Sequence, residues 1–236
     1  MLDLSTQRGR IVDAALRLAA AKPWRDVTLG EIAQGAGLGL ADLAKEFYGK
    51  LAIIGAFQKM VDEEVLRRAR VVHGTGESAR DRVFDVIMTR LDILQPYKAA
   101  LQSIMADGAV TPSPDMLGKL MRSQHWMLVA AGIAADGPAG RAREAGLLSV
   151  YSRVLREWLA DDDAGHAKTM AVLDRRLRNG ERWMQTFEEV CGRMETFAGI
   201  FTRRGPSGRR GSAPDRGPDA GGTPPGNPPA SGATSF

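Results

Sequence analysis

The stretch TLGEIAQGAGLGLADLAKEFYGK, residues 28–50, decides the fold. Thr28 and Glu31 have the T-x-x-E spacing of a capping box, in which each side chain satisfies a free backbone amide of the first helical turn. Three glycines within Gly35–Gly39 end that helix, because glycine adopts the positive φ of a tight turn without strain. A second short amphipathic pattern follows. Together these features predict a helix-turn-helix, whose second helix enters the major groove of DNA.

The second helix of this motif carries the predicted contacts. Its apolar positions, expected to face the core, are Leu40, Leu43, Ala44 and Phe47. The candidate DNA-binding residues are Thr28 as the cap, Gly39, Asp42 as an acceptor from a cytosine amino group, and Lys45, Tyr48 and Lys50 at phosphates. Residues 26–50 contain two lysines and four acids, so the local charge is negative. A negative surface opposes phosphate binding, which supplies most non-specific affinity for DNA.

Residues 8–65 resemble the amino-terminal domain of TetR-family transcriptional regulators. The first helix, RGRIVDAALRLAAAKPW, leads into the threonine-capped second helix, and Leu43, Phe47 and Lys50 match the family pattern that ends the recognition helix. Ala44 and Glu46 stand where the family has tyrosine and histidine, so a hydroxyl is lost and a carboxylate faces the DNA. The resemblance implies operator DNA and an apolar small molecule as partners, and a homodimer.

The remaining chain continues with helical periodicity, and no two-residue alternation persists long enough to predict a strand. The predicted fold is therefore all-α and TetR-like. The predicted divisions are a flexible arm at 1–7, the helix-turn-helix domain with its linking helix at 8–72 (motif about 28–47), a helical ligand-binding and dimerisation domain at 73–201, and a disordered tail at 202–236. Seven of the twelve prolines fall in that tail, whose composition does not support a packed core.

Composition excludes several classes of function. Cys191 is the single cysteine and the three histidines are scattered, so neither a disulfide framework nor a metal site is predicted. No nucleophile, base or cofactor motif is present, which predicts a protein that is not an enzyme and takes no cofactor. The sequence has no apolar run of about eighteen residues and no signal peptide, which predicts a cytoplasmic protein.

A second resemblance covers roughly residues 81–183. The pairs Gln95-Pro96 and Trp158-Leu159, with Trp126, Tyr151 and the run LDRR at 173–176, look like the carboxy-terminal domain of a TetR-fold lipid-binding accessory protein of ubiquinone biosynthesis. That resemblance implies an alternative function, in which an isoprenoid lipid is held without DNA binding and a last helix touches the membrane peripherally.

Both functions need a binding cavity and a last amphipathic helix. The candidate ligand-binding residues are Met105, Met121, Trp126, Met127, Tyr151 and Trp158, since sulfur and aromatic side chains line adaptable apolar sites. The candidate dimer or membrane stripe is Trp183, Phe187, Cys191, Met194 and Phe197. The opposite face of that helix is mainly glutamate, which favours a dimer contact over an anionic lipid surface.

Overall fold

The computed structural model describes residues 4–69, 76–106, 114–163 and 165–179. These ranges contain helices and no strand, which confirms the all-α prediction. The helices are α1 (Gln7–Ala21), α2 (Leu29–Gly35), α3 (Leu40–Glu46), α4 (Lys50–Arg68), α5 (Ala79–Leu94), α6 (Lys98–Ala106), α7 (Pro114–Ala130) and α8 (Gly137–Ala160). Single 3-10 turns occupy Trp24–Asp26 and Gln95–Tyr97, and residues 167–179 are also helical.

Helices α2 and α3 form the predicted helix-turn-helix. The Thr28 hydroxyl accepts a hydrogen bond from the Glu31 amide at 3.2 Å, and Glu31 Oε2 accepts one from the Thr28 amide at 2.9 Å. This confirms the capping box. Gly37 has a φ of 70°, whereas Gly39 caps α3 in an extended conformation with a φ of −77°. The positive φ required by the turn therefore falls at Gly37.

The side of α3 that faces the core is narrower than the sequence pattern predicts. Leu43 and Phe47 are buried and join Ile32 in the hydrophobic core. Leu40 is 56% exposed, and Ala44 is exposed as well. The prediction that Leu40 and Ala44 face the core is therefore wrong. A helix of two turns packs against the core through one i, i+4 pair, here Leu43 and Phe47. Its other apolar residues therefore remain exposed to solvent.

The helices that follow pack against α1 and α4, the helices on either side of the helix-turn-helix. Helix α4 leaves the motif and packs against α5 and α7, α1 packs against α6, and α7 packs against α8. Every described residue lies within one compact unit, Met1–Cys191. The predicted division between a DNA-binding and a ligand-binding domain stays a prediction.

The acidic turn after α8 caps the helix that follows it. Asp161 is buried, and its Oδ2 accepts hydrogen bonds from the amide and the hydroxyl of Thr169, at 3.1 and 2.8 Å. A cap of this kind satisfies backbone amides that have no partner inside the helix. This contact joins the end of α8 to the first turn of the next helix.

Several predictions concern residues outside the described ranges. These are the stripe Trp183, Phe187, Cys191, Met194 and Phe197, the tail at 202–236 and residues 1–3 of the arm at 1–7. Among the described helices, none is long and apolar enough to cross a membrane.

The capping box makes the stability of the helix-turn-helix depend on pH. The Lys22 ammonium, followed by the Thr28 amide and hydroxyl, lowers the pKa of Glu31 from 4.5 to about 2. Because the folded pKa is depressed, the stabilisation is present above about pH 4.5 and is lost as the pH falls towards 2. We expect Glu31→Gln to lower the free energy of unfolding at neutral pH, and the difference from wild type to shrink below pH 4.5.

Urea unfolding of both proteins at several pH values measures this difference. Thr28→Ser, which keeps the capping hydroxyl, is the control, whereas Thr28→Ala should cost about 1 kcal/mol. A wild-type advantage over Glu31→Gln that is the same at every pH would contradict the assignment.

Candidate nucleic-acid interface and ligand groove

The outward side of α3 is largely apolar. Leu40 is 56% exposed, Ala41 and Ala44 are exposed, and Tyr48, just after the helix, is 82% exposed. Since Leu43 and Phe47 hold the opposite side against the core, this surface is the part of the helix-turn-helix that is presented to solvent. We call Leu40, Ala41, Ala44 and Tyr48 the reading face.

The acid on α3 predicted to contact a base is already paired. Asp42 Oδ1 accepts a hydrogen bond from Lys45 Nζ at 2.9 Å. The contact lowers the pKa of Asp42 and raises the pKa of Lys45. Both side chains are partly exposed, so the bond exchanges with solvent at little cost. The pair carries no net charge, and 74% of the Lys45 side chain remains exposed.

The second acid of α3 is paired across the fold. Arg8 Nη1 lies 3.5 Å from Glu46 Oε2 and 3.4 Å from the Glu46 carbonyl oxygen. Its guanidinium also stacks 4.3 Å above the centre of the Phe47 ring. The basic start of α1 therefore offsets the carboxylate that appears, from local sequence, to face DNA unopposed. Sequence reasoning missed this contact because the two residues are 38 positions apart.

Lys50 is engaged within the protein. Its Nζ donates to the carbonyl oxygens of Trp24 and Val27, at 2.6 and 2.8 Å, and lies 4.6 Å from the centre of the Trp24 ring. These contacts tie the start of α4 to the 3-10 turn before α2. The geometry favours a structural role for Lys50, and its predicted contact with phosphate stays a prediction.

The six candidate ligand-binding residues differ in burial, and their role as one site stays a prediction. Met127, Tyr151 and Trp158 are buried in the core, Met105 and Trp126 are 41% and 43% exposed, and Met121 is half-buried. Trp126 and Met127 lie beside the same core residues of α4. Trp126 also lines an open groove, whose volume a small molecule can occupy.

The groove lies between α4 and α7 and has a volume of about 360 Å³. Its walls include Leu66 and Asp62 of α4 and Lys119, Arg122 and Trp126 of α7. Gly55 widens the α4 side, since a β-carbon at Gly55 would lie 3.6 Å from the Lys119 stem. An exposed indole next to cationic side chains suits a flat apolar molecule with an acidic group. A second cavity, between α4 and α5, has charged walls that include Arg68, Arg82 and Asp85.

A buried polar network holds α4, α5, α7 and α8 together behind the groove. Arg90, which is 3% exposed, donates to Asp62 and, through Nε, to the Tyr151 hydroxyl at 2.9 Å. Ser123 Oγ donates to the same Asp62 oxygen at 2.7 Å. Burial opposes the charge on Arg90, but the Tyr151 and Asp62 oxygens outweigh it and raise its pKa. The structure thus places the Tyr151 hydroxyl in this network, and its predicted contact with a ligand stays a prediction.

The fold is that of TetR-type transcriptional regulators. Its elements are the capped helix-turn-helix, the long α4 and the helices packed behind α4. The chain is similar to a TetR regulator from Nitrosomonas europaea ATCC 19718, with 25% identity, a TM-score of 0.58 and coverage of 74% of this chain and 97% of the other. A TetR regulator from Rhodococcus sp. RHA1 matches with 22% identity, a TM-score of 0.54 and coverage of 74% and 94%. A TetR-family regulator from Streptomyces coelicolor matches with 17% identity, a TM-score of 0.52 and coverage of 80% and 85%.

No protein-family profile matches the sequence, and no curated protein matches it. The structural matches therefore carry the comparison, and they support the TetR resemblance of residues 8–65. They give no support to the resemblance of residues 81–183 to the lipid-binding accessory protein of ubiquinone biosynthesis.

Proposed function

We propose that this protein is a TetR-type DNA-binding transcriptional regulator. The observation that carries the proposal is the solvent-exposed α3 of a properly capped helix-turn-helix, in which both acids have cationic partners. Because Asp42 and Glu46 are offset by Lys45 and Arg8, the repulsion of phosphate expected from the local sequence is largely removed. The likeness to solved TetR regulators supports the same function.

The wider surface is also compatible with DNA. Residues 4–50 contain seven basic and five acidic side chains, so including α1 reverses the negative sign of the local motif. A regulator of this type reads half-sites one helical turn apart with two copies of the helix-turn-helix. A homodimer is therefore part of the proposal.

Lys45 and Lys50 provide a direct test. We expect Lys45→Ala to weaken binding uniformly across DNA sequences and to reduce the salt dependence of affinity by about one phosphate contact per copy, with unchanged stability. Lys50→Met should instead lower the free energy of unfolding by about 1.5–3 kcal/mol, because its hydrogen bonds to two carbonyl oxygens are charge-assisted. Selection from a random DNA library, titration of the selected site at several salt concentrations and urea unfolding measure these effects.

Lys59 provides the control, because it is an exposed lysine on α4 that pairs with Glu63. Lys59→Ala should leave both the salt dependence and the unfolding midpoint close to wild type. Selection that returns no enriched sequence, under conditions where the protein is folded, would refute the regulator proposal.

We also propose that an apolar small molecule controls DNA binding from the groove between α4 and α7. Helix α4 forms one wall of the groove and follows directly after the helix-turn-helix. A bound ligand therefore makes different contacts when α4 takes two different positions, and it stabilises the position that it contacts better. Native mass spectrometry of the purified protein, together with Trp126→Ala, tests this. A co-purified molecule that is retained equally by Trp126→Ala would place the ligand elsewhere.

A further inference from the structure

The composition of α3 restricts how it can read a base sequence. Bidentate recognition of guanine uses arginine or lysine, and recognition of adenine uses asparagine or glutamine. The segment LADLAKEFY at 40–48 contains no arginine, asparagine or glutamine. Its one lysine and its two acids are engaged in the Asp42–Lys45 and Arg8–Glu46 pairs. Direct readout by hydrogen bonds is therefore sparse on this helix.

The reading face offers apolar surface instead. Leu40 and Tyr48 are both more than half exposed, and the methyl groups of Ala41 and Ala44 lie between them in sequence. In the major groove each base pair presents donors and acceptors, and the C5-methyl group of thymine is the apolar feature that distinguishes T·A from the others. An alanine methyl or a leucine side chain discriminates among base pairs through that group.

We propose that the reading face recognises its half-site mainly through the C5-methyl groups of thymines. The proposal rests on the DNA-binding function proposed above and adds the chemistry by which the sequence is read. Lys45 and Arg8 stand beside this apolar surface with 74% and 54% of their side chains exposed. A small apolar face bordered by exposed cations complements a methyl-bearing groove between two phosphate backbones better than it complements an apolar protein surface.

The test uses the wild-type full-length protein and the half-site that it selects from a random library. Each thymine of that site is replaced in turn by deoxyuridine, which pairs identically and lacks only the methyl group. We expect a loss of about fourfold in affinity at two or three positions per half-site, which is the effect of one buried methyl group. Deoxyuridine in the flanking sequence should have no effect, and 5-methylcytosine at a reading position should bind more tightly than cytosine at the same position.

Two variants connect the effect to this surface. Leu40→Ala should abolish the difference between thymine and uracil at one position while the protein stays folded, because the side chain is exposed. Leu117→Ala removes a comparably exposed leucine of α7 and should retain the full difference. If uracil and thymine bind equally at every position, methyl readout is overturned and the regulator function stands.

A random DNA library that yields no selected site has a different meaning from an absent uracil effect. If no sequence is enriched, the proposed function fails and the methyl readout fails with it. If Leu40→Ala leaves DNA affinity unchanged but prevents self-association in analytical ultracentrifugation, the reading face is a protein contact and the proposal is overturned.

Discussion

Replacing Asp62 with alanine is expected to lower the free energy of unfolding by about 3–5 kcal/mol. The change removes the carboxylate partner of Arg90, whose side chain is 4% exposed. Among the described residues, the buried guanidinium then keeps the Tyr151 hydroxyl as its acceptor. The change also removes the acceptor of the Ser123 hydroxyl. The cost is large because an unpaired buried charge pays its full desolvation penalty. Urea unfolding followed by far-ultraviolet circular dichroism measures it.

Glu63→Ala is the matched control. Glu63 is the neighbouring acid on α4 and pairs with Lys59 at 3.7 Å, with 57% of its side chain exposed. An exposed pair of this kind contributes about 0–1 kcal/mol.

The double variant Asp62→Leu, Arg90→Met should recover most of the lost stability, because it removes both charges and keeps the volume. A single variant Asp62→Ala as stable as Glu63→Ala would contradict the role of the network.

The parts of the fold that sequence analysis predicted correctly depend on neighbouring residues. The capping box needs only Thr28 and Glu31, three positions apart, and the first helix needs only its periodicity. Both were confirmed, because the interactions that form them are local.

The contacts that sequence analysis missed connect distant positions. Arg8 and Glu46 are 38 residues apart, and Arg90 and Tyr151 are 61 apart. No spacing rule relates such pairs, so Glu46 appeared to be an unopposed carboxylate and Tyr151 appeared to be a free aromatic surface. The error at Leu40 and Ala44 has another origin, since two helical turns contain too few residues for periodicity to define which side is buried.

The ligand groove illustrates the same limit. Aromatic and sulfur side chains are equally suited to a cavity and to a core, and the structure assigns Trp158 to the core and Trp126 to an open surface. The position of Gly55 opposite Lys119 shapes the groove, and it depends on how α4 packs against α7. A single sequence contains no direct record of that packing.

Trp24→Ala is expected to destabilise the protein by about 3–5 kcal/mol, the cost of deleting a large buried aromatic side chain. Trp24 is 1% exposed, and its indole lies beneath the Lys50 ammonium. Its amide donates to Ser103 Oγ of α6 at 3.0 Å, and that hydroxyl donates to the Lys22 carbonyl oxygen at 3.1 Å. The residue thus joins the helix-turn-helix to α6 and to the start of α4 in one place.

Because these neighbours hold the turn that leads into α2, we expect the same change to weaken binding to the selected DNA even where the protein is mostly folded. Trp24→Phe keeps a ring beneath the ammonium, so it should retain most of the stability and the DNA affinity. Trp126→Ala, which removes an indole that is 43% exposed, should cost less than about 1 kcal/mol. Equal losses of stability for Trp24→Ala and Trp126→Ala would mean that the contacts of Trp24 with α6 and α4 add nothing to the burial of its ring. A larger loss at Trp24, accompanied by weaker DNA binding, would show that the junction with α6 and α4 positions the reading face.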